Sequence, residues 1–160
     1  MKERDIFDYW FEGVDGFLDH ASAEAVGEFT RSCAEACGAS YSRGVFERAF
    51  AGGRSLRAAL DELTRLFADF SYSMPPEGKD ADGAFEVRYA RCGCDLVNAR
   101  GVRSPRLCEC SGISLKINLE SIYGPGTVSV ALKESVLKGD GRCRLVVSFS
   151  DGTEPPRRGN

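Results

Sequence analysis

The stretch Val128–Phe149, VSVALKESVLKGDGRCRLVVSF, alternates apolar and polar residues on both sides of a glycine-containing turn. The apolar members are Val128, Val130 and Leu132 before the turn and Cys143, Leu145, Val147 and Phe149 after it. A period of two places such residues on one face of a strand. The turn Lys138-Gly139-Asp140-Gly141 is typical of a hairpin. The sequence therefore predicts a C-terminal β-hairpin with one buried face.

Two segments upstream of this hairpin also alternate. Phe85, Val87 and Tyr89 alternate with charged residues, which predicts a further strand. Residues 113–120 alternate just as strictly, but their helix-forming residues run on to Gly124. Periodicity alone leaves both a strand and a helix open for residues 113–120.

The first half of the chain shows helical spacing of its apolar residues. One predicted helix carries Ile6, Trp10, Val14 and Phe17. A second is capped by Ser22 and ends at Gly38, and a third spans 43–50 and stops at Gly52-Gly53. A fourth is capped by Ser55 and carries Leu56, Leu60, Leu63, Phe67 and Phe70 on its inner face.

These patterns predict one α+β domain over residues 1–152, with a helical N-terminal half packed on an antiparallel sheet that ends in the C-terminal hairpin. A length of 160 residues suits a single domain. Residues 1–72 are mostly helical in this interpretation, and the proline-containing segment 73–83 is a loop. The polar tail 153–160 is expected to be disordered.

Composition limits the classes of function. The formal net charge of -3 argues against a general nucleic-acid binder, which would carry a basic surface. No run approaches the roughly 18 apolar residues of a membrane span, and the N-terminus lacks a signal-peptide pattern. We therefore expect a cytoplasmic protein with reduced thiols and without a membrane or nucleic-acid partner.

Seven cysteines are the most informative feature of the chain. Cys92-Gly93-Cys94 is followed, after thirteen intervening residues, by Cys108-Glu109-Cys110. Two C-x-C pairs offer four thiolates, which are ligands that zinc and iron–sulfur sites use. The spacing predicts a metal site, with zinc as the candidate cofactor, formed by Cys92, Cys94, Cys108 and Cys110. The alternative is that these thiols pack as small apolar side chains.

The other candidate residues are less specific. Cys33 and Cys37 are four apart on one helix face, so they could complete the ligand set or pack in the core. Cys143 lies on the apolar face of the last strand and is expected to pack. Arg91, Arg103 and Arg106 flank the C-x-C pairs and could receive an anionic ligand group. The single histidine, His20, is interpreted as a surface or capping residue.

The closing motifs resemble those of a known family. They are Leu119-Glu120-Ser121-Ile122-Tyr123-Gly124, Val128-Ser129-Val130, Glu134-Ser135 and Lys138-Gly139-Asp140-Gly141-Arg142-Cys143-Arg144-Leu145. Residues 84–150 thereby resemble the 4-vinyl reductase (V4R) type of domain and relatives similar to 2-amino-thiazoline-carboxylate hydrolases. The resemblance implies an α+β fold around a small-molecule pocket, and it favours a helix over 111–123.

Several proteins of the V4R type hold zinc through cysteines. The resemblance implies that one such branch has ligands at the positions of Cys143, Ser135 and Leu132, of which only the cysteine is present here. That ligand set does not transfer, so a metal in this chain requires the two C-x-C pairs.

Three functions follow as hypotheses. The first is a small-molecule-binding or sensory domain whose cysteine cluster holds zinc. The second is a cysteine-dependent amidase-like or cyclic C–N hydrolase, with Cys108 or Cys94 as a nucleophile activated by arginine. The third is thiol redox sensing through Cys92/Cys94 or Cys108/Cys110. The sequence leaves catalysis and a homodimer open.

Overall fold

The computed structural model describes residues 3–77 and 84–158. These residues form an α+β fold in which helices pack against one four-stranded antiparallel sheet, as predicted. The helices are α1 (Ile6–His20), α2 (Ala23–Cys37), α3 (Arg43–Phe50), α4 (Leu56–Leu66), α5 (Asp95–Asn98) and α6 (Glu109–Tyr123). The strands are β1 (Phe70–Ser73), β2 (Ala84–Tyr89), β3 (Val128–Glu134) and β4 (Cys143–Phe149).

The sheet has the strand order β1-β2-β4-β3, and the predicted hairpin forms its β3–β4 edge. Val130 pairs with Val147, and Phe85 pairs with Val147 from the other side, so the alternating apolar residues share one face. The connection between β3 and β4 contains a 3-10 turn, Val136–Lys138, and Gly139 follows it with a φ of 95°. Glycine suits this left-handed position because it has no Cβ.

Strand β1 was not predicted. Phe67 and Phe70 were assigned to the inner face of α4, but α4 ends at Leu66 and Phe67 is already extended, with φ −117° and ψ 113°. Phe70 instead begins β1, where it pairs with Tyr89. The predicted loop 73–83 begins one residue too early because Ser73 still belongs to β1. Its residues 78–83 lie outside the described part of the chain.

The regular α-helix α2 ends at Cys37, directly before Gly38 as predicted, but the chain does not leave the helical path there. Gly38 has a right-handed φ of −58°, and the chain continues through a π-helical turn, Gly38–Ser42, directly into α3. A Cβ at Gly38 would lie 4.0 Å from Oδ1 of Asn118 on α6. At Gly38 the helical path thus continues where the chain packs against α6. The presence of a glycine alone did not indicate this. The predicted stop after α3 is confirmed by the positive φ of Gly52 and Gly53.

The ambiguous segment 113–120 lies inside helix α6. Its buried residues are Leu115, Asn118, Leu119 and Tyr123, a helical rather than a two-residue spacing. The helix ends before Gly124, whose φ of 110° a residue with a Cβ rarely adopts. Helix α6 packs against α2, α3 and β3, so it is covered on more than one side. This placement explains why its apolar residues do not form a single narrow stripe.

Two clusters of buried side chains hold these elements together. The larger cluster lies between the apolar face of the sheet and helices α3, α4 and α6, around Phe85, Leu119 and Leu145. The smaller cluster joins α1 and α2 to the segment after β2, through Leu18 and Val102. Cys94 packs against this smaller cluster, which places the first C-x-C pair beside the helical half.

Residues 153–158, which belong to the tail expected to be disordered, contact the rest of the protein. The hydroxyl of Tyr123 donates a 2.8 Å hydrogen bond to Glu154, and the guanidinium of Arg157 lies 5.4 Å from the centre of the Phe50 ring. The backbone N–H of Arg158 donates to the carbonyl of Ile122 at 3.0 Å. These contacts differ from the expectation of a disordered tail, although the segment has no regular secondary structure.

None of the helices within residues 3–77 and 84–158 has the length and apolar character that a membrane span requires.

Candidate functional site

The seven cysteines come from separate elements, and none of them takes part in a disulfide. Cys33 and Cys37 lie on α2, while Cys92 and Cys94 lie between β2 and α5. Cys108 ends a 3-10 turn and Cys110 lies in the first turn of α6. Cys143 is the first residue of β4.

Short-range hydrogen bonds shape the first C-x-C pair. The Asn98 side chain donates a 2.7 Å hydrogen bond to the carbonyl of Cys92. The carbonyl of Cys94 accepts the backbone N–H groups of Val97 and Asn98, which starts α5. The backbone N–H groups of Leu96 and Val97 also interact with the Cys94 sulfur and lower its pKa, but burial has the larger, opposite effect. The pKa of Cys94 is therefore raised.

The second pair is fixed by the start of α6 and by the sheet. Pro105 opens the 3-10 turn that leads into the helix, a position where its missing N–H leaves no hydrogen bond unmade. Cys108 is buried, and the hydroxyl of Ser135 donates to its sulfur at 2.9 Å. Ser135 follows the end of β3 and is itself fully buried. This bond ties the N-terminal end of α6 to the β3–β4 connection.

The pKa shifts of Cys108 and Cys110 link the two C-x-C pairs. Burial raises the pKa of Cys108, and the nearby charges of Cys143, Cys92 and Cys94 raise it further, against the lowering effect of Ser135. Burial raises the pKa of Cys110 to about 12, with additional contributions from Cys33, Cys37, Cys94 and Cys108. Such effects require nearby charges, because charge interactions weaken with distance.

The cysteines of α2 belong to the same region. Burial raises the pKa of Cys33, followed by the charges of Cys37 and Cys94. The charge of Cys33 is in turn the largest charge effect on Cys110, which agrees with the packing of α2 against α6. Sequence reasoning left Cys33 and Cys37 open between packing and a ligand role, and only the contact between the two helices connects them to the C-x-C pairs.

The side chains do not form a metal site as they stand. Within residues 3–77 and 84–158, no group of three or more His, Cys, Asp or Glu side chains is arranged so that it could hold a metal ion. The thiols therefore form a loose cluster, which we call the thiol cluster: Cys33, Cys37, Cys92, Cys94, Cys108, Cys110 and Cys143.

The three candidate arginines have different neighbours. Arg91 is paired with Asp69 at 3.0 Å and its side chain is exposed. Arg103 is exposed, and its backbone N–H donates to Asp15 on α1. Arg106 donates from Nη1 to the carbonyls of Leu18 and Ala21 at 2.6 and 2.8 Å. The guanidinium of Arg106 thus holds the C-terminal end of α1.

A shallow groove of about 400 Å³ runs between α2 and the start of α6. Its walls include Val26, Thr30 and Ile113, and Arg106 and Lys138 supply positive charge. Of the three candidate arginines, Arg106 is the one that lines this groove. His20 lies at the end of α1, where its ring Nδ1 donates to the Gly16 carbonyl at 2.8 Å.

No protein-family model matches the chain, and no curated protein matches it either. The likeness of residues 84–150 to the V4R type of domain therefore stays a prediction. Two of the positions that the resemblance implies for zinc lie beside Cys108 in the structure. Ser135 donates to the Cys108 sulfur, and the charge of Cys143 raises its pKa. The sequence motif gave no sign that Cys108 would lie next to these two residues.

Proposed function

We propose that this chain is a small-molecule-binding or sensory domain whose thiol cluster holds zinc through Cys92, Cys94, Cys108 and Cys110. The observation that supports this most is that cysteines of the first C-x-C pair raise the pKa values of both cysteines of the second. Cys94 acts on both Cys108 and Cys110, and Cys92 acts on Cys108. In the chain, the first C-x-C pair precedes α5 and the second follows it. Any approach of the two pairs is therefore a product of the tertiary fold.

The raised pKa values are consistent with a site that ionises when metal binds. Without metal, the buried thiols stay protonated at neutral pH and do not repel one another. A bound zinc ion stabilises thiolates and releases their protons, so zinc affinity should rise with pH. Forming a tetrahedral set requires some cysteines to change χ1, since residues 3–77 and 84–158 contain no group of three side chains arranged to hold a metal ion. Staggered rotamers make such a change accessible to a side chain with one torsion.

The groove beside the cluster is the proposed place for the small molecule. Its apolar wall suits a hydrophobic body, and Arg106 and Lys138 suit an anionic group. Glu109 lines the groove and directly precedes Cys110, so the ligand and the metal would share the first turn of α6. Through this shared turn, binding of the small molecule would change the affinity for zinc, and binding of zinc would change the affinity for the small molecule. We further propose a reducing compartment such as the cytoplasm, where the thiols stay available to metal.

Elemental analysis tests the zinc proposal. Protein purified without added metal is expected to contain about one equivalent of zinc, as in four-cysteine sites. A chelator should remove it and expose four further thiols to a colorimetric thiol reagent, with Cys110 reacting far more slowly than the other three because of its raised pKa. Less than about a tenth of an equivalent, with those four thiols already reactive, would end the zinc proposal.

The hydrolase alternative makes a different prediction about thiol reactivity. Its nucleophile, Cys94 or Cys108, would need a lowered pKa, whereas burial raises the pKa of both. We expect no cysteine of the metal-free protein to react rapidly with iodoacetamide near pH 6. Cys110, with a pKa of about 12, should carry roughly a thousandth of the thiolate of an ordinary cysteine at pH 8. Its rate should rise about tenfold per pH unit there.

Mass spectrometry of alkylated peptides measures each rate. Rapid labelling of Cys94 or Cys108 alone at pH 6 would favour the hydrolase over the metal-binding domain.

A further inference from the structure

Helix α1 exposes a strip of large apolar side chains that the rest of the described chain covers only in part. The Arg4 guanidinium lies 4.2 Å from the centre of the Tyr9 ring, and the Phe17 ring lies 5.7 Å from that of Phe29. Ile6 is 78% exposed, Trp10 65%, Tyr9 58% and Phe17 43%. At 100° per residue, the strip occupies an arc of about 120° centred on Gly13. The residues in this arc, which we call the α1 strip, are Ile6, Tyr9, Trp10, Gly13, Gly16, Phe17 and His20.

Helix α1 cannot rotate about its axis to bury the strip, because its opposite face is already packed against the protein. Leu18 is fully buried in the smaller core cluster, and Phe11 and Val14 pack beside it. Asp15 accepts the backbone N–H groups of Arg103 and Ser104 at 2.9 Å each. Rotating the helix would expose Leu18 and break these bonds. The α1 strip therefore stays outward, and its apolar surface continues past Trp10 to Phe7, which is 53% exposed.

The area of the strip approaches what an interface needs. Aromatic side chains bury roughly 150–250 Å² each, so the exposed fractions of its four large side chains leave roughly 500 Å² open. This lies in the upper range of patches on monomeric proteins, which often mark interaction sites. A stable interface of ordinary size takes about 800 Å² from each partner. Residues flanking the strip would supply the rest.

Charge argues against a membrane surface as the occupant. The carboxylates of α1 are Asp8, Glu12, Asp15 and Asp19, and all lie outside the strip. Helices that lie on membranes instead carry lysine and arginine on their polar face.

The positions of the glycines point to a second copy of this chain. Gly13 is the midpoint of α1, which spans residues 6–20. In an antiparallel pair related by a two-fold axis at Gly13, Trp10 of one copy lies on the same flank as Phe17 of the other, and Tyr9 lies on the same flank as Gly16. A Cβ built on Gly13 or Gly16 meets no atom within 4 Å, so both glycines leave room for an approaching side chain. Such self-complementarity is what a two-fold interface requires.

We propose that the protein forms a homodimer through the antiparallel pairing of two α1 strips about Gly13. The proposal does not depend on the zinc site. Pairing places the Tyr9 ring against Gly16 and lets the two backbones approach closely at the axis, where Gly13 meets Gly13.

Sedimentation combined with fluorescence tests this proposal, because Trp10 is the chain's one tryptophan. Between about 1 and 500 µM, the mass should change from monomer to dimer while the Trp10 emission shifts to shorter wavelength with the same midpoint. Gly13→Arg should raise the dissociation constant at least about a hundredfold. It leaves the monomer's contacts intact and replaces a helix-weakening glycine, so misfolding would not explain the loss.

The matched control is Gly27→Arg on α2, where a Cβ also meets nothing within 4 Å. It should dimerise like the unchanged protein. Added salt should strengthen the dimer, because it screens repulsion between the flanking carboxylates of the two copies. A monomer at every concentration, equal dimerisation of Gly13→Arg, or a dimer that salt weakens would each overturn the proposal.

Discussion

Replacing Cys110 by serine is expected to lower the zinc affinity at least about a hundredfold. Apparent zinc-binding free energies of four-ligand sites are about 10–16 kcal/mol, so one of four thiolates accounts for roughly 3 kcal/mol. A serine hydroxyl does not replace it, because zinc prefers thiolate sulfur over a neutral hydroxyl. Competition with a chromophoric chelator at pH 7.5 measures the affinity. Thermal unfolding with and without zinc should show a smaller metal-dependent rise in Tm for the variant.

Cys143→Ser is the informative control for Cys110→Ser. Both residues are half-buried thiols of the same cluster, but only Cys110 belongs to the proposed ligand set. Cys143 occupies the position that the V4R resemblance implies for a zinc ligand. We expect Cys143→Ser to keep most of the zinc affinity. Equal loss in both variants would mean that the ligands lie around Cys108, Ser135 and Cys143 and would contradict the proposed set.

Replacing Glu86 by alanine is expected to lower the free energy of unfolding by about 3–5 kcal/mol. Glu86 is fully buried in β2. Its Oε2 accepts from Arg144 at 2.9 Å and from the backbone N–H of Glu77 at 3.2 Å, while Nη1 of Arg88 lies 3.5 Å from Oε1. Without this carboxylate, the mostly covered guanidinium groups of Arg88 and Arg144 lose a buried counter-charge.

Two further variants separate charge from shape at Glu86. Glu86→Gln keeps the size and an acceptor oxygen, so it should destabilise the fold less than alanine does. Glu62→Ala removes a carboxylate of the α4 surface, which pairs with Arg65 at 2.6 Å. It should hardly move the urea midpoint, since exposed pairs contribute little. A midpoint for Glu86→Ala equal to that of Glu62→Ala would contradict the importance of the buried carboxylate.

The sequence predicted the hairpin and the fold class because β3 and β4 keep a two-residue period with one face in the core. The same rule was ambiguous for residues 113–120, where the alternation coincides with a helix. There, Leu115 and Leu119 pack at helical spacing while α6 is covered by α2, α3 and β3. The spacing of apolar residues reports which side of an element is buried. It therefore does not distinguish a helix from a strand when the element is buried on several sides.

Local sequence patterns also failed to predict the structure at positions where tertiary contacts determine it. A glycine such as Gly38 is typical of the end of a helix. Here it lies near Asn118, and the chain continues through a π-helical turn into α3. The short β1 has an alternating pattern, Phe70-Ser71-Tyr72-Ser73, that could have been read as a strand. It is only four residues long and pairs with a strand eleven or more residues later in the chain. Such non-local pairing leaves little trace in a local pattern.

The sequence indicated which cysteines belong to the candidate site, but it did not indicate which other residues surround them. The C-x-C spacing indicated that Cys92, Cys94, Cys108 and Cys110 could lie together. Neither the effect of Cys33 on the pKa of Cys110 nor the hydrogen bond from Ser135 to Cys108 could be inferred, since both depend on how α2 and β3 pack against α6. The arginines were placed near the thiols by sequence proximity, yet Arg91 and Arg106 turn to Asp69 and to α1.

X-ray absorption at the zinc edge tests most directly whether these sulfur atoms gather around one metal ion. On protein loaded with a single equivalent of zinc, we expect a first shell of four sulfur atoms at about 2.3 Å. A shell dominated by nitrogen or oxygen at about 2.0–2.1 Å would contradict a site made by Cys92, Cys94, Cys108 and Cys110.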